Sequence, residues 1–248
     1  MILSPATRLV LRVLSALTLL FIWIPLVIVG LYAFNDSRVQ SWPLKGFTLE
    51  WFSKALDNEG ARDALFFSVR VALGATLVAL LLGTLLSLAV ARYRFFGRES
   101  LSFLVILPIA LPGIVTGMAL NATFCIVVVY NNVVARLRRN ARSFEEASAD
   151  LGASTWQTAR DVLYPAMRTA LLAGGLLAFA LSFDEVIVTT FTAGADQTLP
   201  IWILNNLSRP NQLPVVNVVA LFVIVLSFIP VYAASRLASD SGGFSGAR

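Results

Sequence analysis

Several uncharged stretches in this sequence exceed the roughly 18 apolar residues that mark a membrane-spanning helix. Residues 13–34 and 71–91 carry no Asp, Glu, Lys or Arg, and arginines flank both stretches. Charged residues make up 13% of the chain and the mean hydropathy is +0.79, whereas soluble domains carry about 25% charged residues. These features predict an all-α polytopic membrane protein whose main solvent is the lipid bilayer.

The remaining apolar and polar stretches predict the organisation of the whole chain. We expect a cytoplasmic N-terminus at 1–12, a transmembrane domain at 13–236 and a cytoplasmic tail at 237–248. The expected membrane segments are 13–34, 71–91, a region at 101–135, 169–195 and 215–235, with a polar cytoplasmic loop at 143–165.

The distribution of basic residues predicts the orientation. With the N-terminus in the cytoplasm, 13 of the 19 Lys and Arg residues fall in inner segments and 6 in outer ones. This agrees with the bias of positive residues toward the cytoplasmic side. Both termini are therefore expected in the cytoplasm, and the net charge of +5 requires no nucleic-acid partner.

The residue types present exclude several kinds of active site. The chain has no histidine, which is the usual general base and the commonest metal ligand. Its single cysteine, Cys125, excludes a disulfide framework and is interpreted as a small core residue. Neither Lys45 nor Lys54 lies in a phosphate-binding loop. We therefore expect no enzyme activity, metal or cofactor in this chain.

The region 101–135 is too short for the topology that its flanks require. Arginines lie on both sides, so an even number of crossings is expected, and two crossings need about 20 residues each. Only 35 residues are available. The alternatives are two short or tilted helices, a re-entrant segment, or a crossing that breaks the charge rule. We expect this region to fail as a normal two-span hairpin.

The loop 143–165 carries the pattern of two short helices. Ser143 with Glu146, and Ser154 with Gln157, have the spacing of capping boxes. Gly152 lies where the first helix would end in a left-handed cap. The pattern therefore predicts a helix, a glycine turn and a second helix that ends ahead of Pro165. It fits either a solvated interfacial helix or a docking element for a soluble partner.

The same loop resembles a known signature. The stretch Glu146-Ala147-Ser148, followed by Gly152 and Pro165, is similar to the E-A-A…G…L-P motif of permease subunits of ATP-binding cassette importers. Ser148 replaces the second alanine of that motif, and Tyr164 replaces its leucine. Further segments resemble the spermidine/putrescine-type permeases: YAFNDS, GFTLEWF, LPIALPGIVTG, ATFCIVVVYNNVVARLRR, LAFALSFDEVIVTTFTAG and TLPIWILNNLSRP.

This resemblance implies a six-span permease that works by alternating access in the bacterial inner membrane. Its implied partners are a second permease subunit, two ATPase subunits that hold ATP and Mg²⁺, and an extracytoplasmic solute-binding protein. The implied ATPase-coupling residues are Glu146, Ala147, Asp150, Gly152 and Pro165.

The chain also departs from this family. Relatives have two full spans and an outer loop between the GIVTG and ATFC motifs, but only four residues separate Gly117 from Ala122 here. The departure indicates an internal shortening of spans three and four. A truncated remnant that assembles with partners without transporting is therefore an alternative.

Three residues are candidates for the substrate path. Asp184 and Glu185 interrupt an apolar segment, and carboxylates within a membrane usually face a cavity or a partner. They suit a polyamine cation, with Asp184 expected to line the path. One alternative is that they form an ion pair with a partner permease. Another is that the permease moves a different solute. Trp42 and Trp51 have the pattern of interfacial anchors. The resemblance adds Trp42 as a possible cation–π contact for the substrate.

Overall fold

The computed structural model describes residues 4–93, 95–97, 121–139, 142–192 and 196–240, and most of them are helical. An isolated antiparallel bridge joins Asn35 and Phe47. In chain order, the helices are α1 (Pro5–Ala33), α2 (Glu50–Leu56), α3 (Glu59–Arg92), α4 (Asn121–Arg139), α5 (Ser143–Asp150), α6 (Thr155–Gln157), a π-helix (Thr158–Leu163), α7 (Tyr164–Phe183), α8 (Ile187–Thr192), α9 (Leu199–Leu207) and α10 (Leu213–Asp240).

Three stretches among the described residues are long and apolar enough to cross a membrane. They are Thr7–Ala33, Glu59–Arg92 and Thr155–Phe183, and Leu213–Phe228 is a shorter apolar helix. Of the region expected to be too short for a hairpin, residues 121–135 belong to α4. Residues 101–120 lie outside the described residues, so the expectation about the hairpin stays a prediction.

The chain divides into two compact units, and the first comprises Met1–Arg62 and Trp202–Phe228. Its α1 exposes leucine, isoleucine and phenylalanine side chains along most of its length. Such a surface is stable only against lipid or another apolar protein surface. Within this unit the rings of Trp23 and Phe228 stack at 6.0 Å, and Phe52 contacts both Phe34 and Phe222.

The polar connection after α1 is ordered around Trp51. This side chain is 4% exposed, and its Nε1 donates a hydrogen bond to the Asn35 carbonyl oxygen at 2.9 Å. The interpretation of Trp51 as an interfacial anchor is therefore wrong, because the ring is enclosed by its own connection. Beside it, Lys54 donates to Glu50 and lowers the pKa of that carboxyl group.

The second unit comprises Asp63–Ile201 and Ile229–Arg248, and its core lies between α3, α4 and α7. Small residues let these helices approach closely: a Cβ added at Gly83 would lie 2.9 Å from the Ile126 carbonyl oxygen and from Val129 Cβ. A Cβ added at Gly174 would lie 3.2 Å from Val129 Cα.

Cys125 is fully buried and its Sγ lies 3.3 Å from the Ala178 carbonyl oxygen. Its interpretation as a small core residue is confirmed.

Candidate functional site

A glycine turn ends α5, as the sequence predicts. Gly152 has a φ of +82°, the left-handed conformation that side chains disfavour. Its N–H donates to the Ala149 carbonyl at 2.9 Å, and the Ala153 N–H donates to the Ser148 carbonyl at 3.1 Å. These two bonds define a Schellman motif. The turn thus satisfies the last carbonyls of α5 and redirects the chain.

Of the two expected capping boxes, one is present. Ser154 Oγ accepts from the Gln157 N–H at 3.3 Å, and Gln157 Oε1 accepts from the Ser154 N–H at 2.7 Å. The box expected at Ser143 is wrong, because α5 begins one residue earlier and Arg142 is its N-cap. Ser143 is already helical, and Glu146 instead pairs with Arg142, with 3.5 Å between Oε1 and Nε.

Pro165 does not end a helix, contrary to the sequence-based expectation. The helical path continues from Thr155 through the π-helix into α7, and Pro165 is the second residue of α7. A proline inside an α-helix removes one hydrogen bond and clashes with the carbonyl four residues earlier. The wider π-turn at Thr158–Leu163 lies where that clash would occur, and π-turns are frequent at functional positions.

The coupling residues expected from the resemblance are placed on the surface. Glu146, Ala147, Asp150, Gly152 and Pro165 are all exposed. Three large apolar side chains of the same loop are also exposed: Phe144 (67%), Leu151 (89%) and Trp156 (74%). Exposed apolar patches rimmed by polar residues mark sites of interaction with proteins or membranes.

Side-chain contacts fasten this loop to the helices of the second unit. Arg92, at the end of α3, forms an ion pair with Glu145 of α5. Ser148 Oγ lies 3.0 Å from Thr158 Oγ1, which joins the two halves of the loop. The ion pair was not predictable from the sequence, because Arg92 and Glu145 are 53 positions apart and no local spacing relates them.

The acidic pair lies at a break in the helix. α7 ends at Phe183, and Asp184 is its exposed C-cap, with its N–H donating to the Ala180 carbonyl at 3.1 Å. Glu185 is half-buried and lies outside any helix, before α8 begins at Ile187. The segment expected at 169–195 is therefore interrupted, and its residues 193–195 lie outside the described residues.

Hydroxyl groups lie on both sides of this break, in α7 and in α8. Thr189 Oγ1 donates to the Glu185 carbonyl and Thr190 Oγ1 to the Val186 carbonyl, both at 2.7 Å. Ser182 is 4% exposed, and its Oγ has no hydrogen-bond partner within the described ranges. The break between α7 and α8 thus combines two carboxylates, hydroxyls and backbone carbonyls, a set of oxygen atoms that favours a cation.

Trp42 belongs to the first unit, in the connection between α1 and α2. Its side chain is 78% exposed. The ring face is thus accessible, as a cation–π contact requires. Across the described ranges, no group of three or more His, Cys, Asp or Glu side chains has the arrangement of a metal site.

Two known permeases are similar in sequence to this chain over most of their length. The chain is 31% identical to the spermidine/putrescine transport system permease protein PotC of Escherichia coli K12, over 89% of this chain and 90% of that protein. It is 27% identical to the putrescine transport system permease protein PotI of the same strain, over 87% of each chain.

The fold also matches a solved structure. A chain from a bacterial ABC transporter involved in the import of the acidic polysaccharide alginate superposes with a TM-score of 0.61, covering 99% of this chain and 100% of that one. At 17% identity this likeness shows the fold alone.

A family model for the inner membrane component of binding-protein-dependent transport systems matches residues 2–239. The expected all-α polytopic permease fold is thereby confirmed. This chain belongs to the family of binding-protein-dependent transport system inner membrane components.

Proposed function

We propose that this permease moves polyamines, putrescine or spermidine, inward across the bacterial inner membrane. The observation that carries the proposal is the acidic break between α7 and α8, where Asp184 and Glu185 follow the last turn of a helix. The C-terminus of a helix carries partial negative charge, so it adds to the attraction for an ammonium group. The likeness to PotC and PotI supports the same substrate class.

An interrupted helix also suits a translocation path. Non-helical backbone at membrane depth is tolerated only where it is buried in protein or lines a water-filled cavity. Transporters commonly build substrate sites from such discontinuous helices, with the C-terminal ends of half-helices facing cations. Asp184 is the exposed member of the pair, so it is our candidate for the lining residue, and the half-buried Glu185 lies at the edge. Trp42 stays a separate candidate for substrate contact.

ATP hydrolysis by partner subunits supplies the energy in this proposal. The chain has no phosphate-binding loop, so ATP and Mg²⁺ are held by two separate ATPase subunits. They dock on the exposed surface of the loop 143–165, where Glu146, Gly152 and Pro165 lie, and a second permease and an extracytoplasmic binding protein complete the importer. The distribution of arginines supports an orientation with both termini and this loop in the cytoplasm.

Neutralising the acidic pair tests the proposal. In the complete importer reconstituted in vesicles, the double substitution Asp184→Asn and Glu185→Gln keeps side-chain shape but removes the charge that offsets desolvation of a passing ammonium. We expect polyamine uptake to fall about tenfold or more, which corresponds to about 1.4 kcal/mol, while assembly and basal ATP hydrolysis persist.

Asp57→Asn is the matched control, because Asp57 is an exposed carboxylate at the end of α2, outside the proposed path. It should leave uptake unchanged. Normal uptake by the double variant would remove the acidic pair from the mechanism.

A second candidate function is a remnant that assembles with partners but does not transport. The comparison with PotC extends over 241 aligned positions, yet 89% of this 248-residue chain is only about 221 residues. About 20 aligned positions therefore have no counterpart in this chain, which supports a shortening relative to PotC. A parent importer that binds ATPase subunits and shows no uptake of any solute would favour the remnant.

A further inference from the structure

The Arg92–Glu145 ion pair differs from the other ion pairs of the second unit in its burial. The Arg92 side chain is 14% exposed and the Glu145 side chain is 19% exposed. In the Arg142–Glu146 pair of the same loop, the exposed fractions are 64% and 67%. Exposed pairs contribute little because water screens them. A pair that is largely removed from water is screened much less, so its two charges interact more strongly.

Burial makes the two residues depend on each other. The Nε of Arg92 is buried and has no hydrogen-bond partner in the described part of the chain, so Glu145 is the carboxylate that compensates this charge. Removing one member of a buried pair leaves the other charge without compensation, whereas replacing both with neutral groups costs far less. The pair therefore fastens α5 to the end of α3.

The position of this contact connects two functional parts. Glu145 precedes Glu146, which carries the proposed ATPase contact, and α5 ends in the Gly152 turn. Arg92 ends α3, which packs against α4 through Gly83. The loop is continuous with α7 through its own backbone, and the Arg92–Glu145 ion pair fastens α5 to α3.

We propose that Arg92 and Glu145 are positioning residues that transmit movement of the loop 143–165 to α3. The proposal rests on the proposed function, because it requires that ATPase subunits move this loop. With the pair intact, displacement of α5 moves α3 and α7 together. Without it, the loop still docks the ATPase and pulls on α7 alone, so ATP is hydrolysed with little transport.

The test measures polyamine uptake per ATP hydrolysed, in the reconstituted importer, for four variants. They are Arg92→Glu, Glu145→Arg, the charge-swapped double variant, and the neutral double variant Arg92→Gln with Glu145→Gln. Each single reversal should lower uptake per ATP about fivefold or more, within the usual range of coupling between sites. The charge-swapped variant should recover most of it. Co-purification of the ATPase should be unchanged throughout.

The neutral double variant separates positioning from folding. It leaves no uncompensated charge, so we expect normal membrane levels together with low uptake per ATP. Arg139→Glu is the control for charge reversal itself, since Arg139 is exposed at the end of α4. It should behave as the parent does.

The outcomes distinguish the two proposals. A parent importer without uptake overturns the proposed function, and this inference with it. Uptake by the parent, together with parental coupling in the neutral double variant or no recovery in the charge-swapped variant, overturns this inference alone.

Discussion

At the scale of single residues, Gly152 controls the direction in which the loop 143–165 continues after α5. The surroundings of its Cα are open, because an added Cβ would meet no atom of the described residues within 4 Å apart from its two chain neighbours. Any penalty for a side chain there therefore comes from its φ of +82° and not from crowding. Left-handed backbone costs most residues about 1–2 kcal/mol, but asparagine tolerates it.

This distinction gives a matched pair of substitutions at one position. Gly152→Val should weaken co-purification of the ATPase, because relieving the strain re-aims the second half of the loop. Gly152→Asn should retain most of the association, since it keeps the left-handed turn. Equal recovery of the ATPase with both variants, at equal membrane levels, would show that the turn does not position the docking surface.

The roles of Gly152 and Ser154, which depend on near neighbours in sequence, were predictable, whereas those of Ser143 and Trp51 were not. The Gly152 turn and the Ser154 cap involve bonds within a few positions, so their pattern indicates their structure. The Ser143 prediction failed because a neighbouring residue, Arg142, took the cap position. Trp51 failed because its enclosure depends on Asn35, 16 positions away.

At the scale of helices, close contact between α3 and α4 depends on Gly83. An alanine there would place its Cβ 2.9 Å from a backbone oxygen, which cannot rotate away as a flexible side chain could. Gly74 lies in the same helix and has nothing within 4 Å of an added Cβ. The two glycines thus lie in the same helix but differ in how tightly their surroundings are packed.

Substituting each glycine with alanine separates packing from helix propensity. Gly83→Ala should destabilise the purified chain by about 1–3 kcal/mol, because the helices must separate. Gly74→Ala should leave stability unchanged or raise it by about 0.5–1 kcal/mol. Thermal unfolding in detergent measures both, and equal midpoints would contradict the packing argument.

Helix interruptions are harder to predict than the helices themselves. The apolar run that predicts a segment at 169–195 resumes after Asp184 and Glu185, so hydropathy alone does not show that the helix stops at Phe183. Conversely, Pro165 suggests an end that does not occur, since the π-helix accommodates it. In both cases the deciding factor is the backbone hydrogen bonding, which residue type alone does not determine.

At the scale of the whole molecule, the sequence predicted the class of fold, because length and hydropathy of apolar runs are properties of the chain as a whole. The family match and the solved permease fold confirm this class. The number of crossings in the region 101–135 is not determined in this way. There, the charge rule and the available length conflict.

Labelling of single cysteines from each side of the membrane tests how many times the region 101–135 crosses it. With Cys125 replaced by serine, single cysteines at Ser100, Asn121 and Asn140 are labelled from either side of the membrane. We expect both end positions to be labelled from inside and Asn121 to be shielded from outside, because the region is too short for two crossings. Free labelling of Asn121 from outside, with both ends inside, would establish a full hairpin and contradict the shortening.

The π-helix at Thr158–Leu163 also sets the rotational phase of everything that follows it. A π-turn holds one more residue than an α-turn, and each residue rotates a helix by about 100°. If the same residues wound as an α-helix, the chain would stay helical and equally apolar. α7 would nevertheless be rotated about its axis, so that Gly174 and Gly175 no longer faced Val129 and Leu80. A lipid-facing surface would then point inward, and the carboxylates beyond α7 would be turned by the same angle.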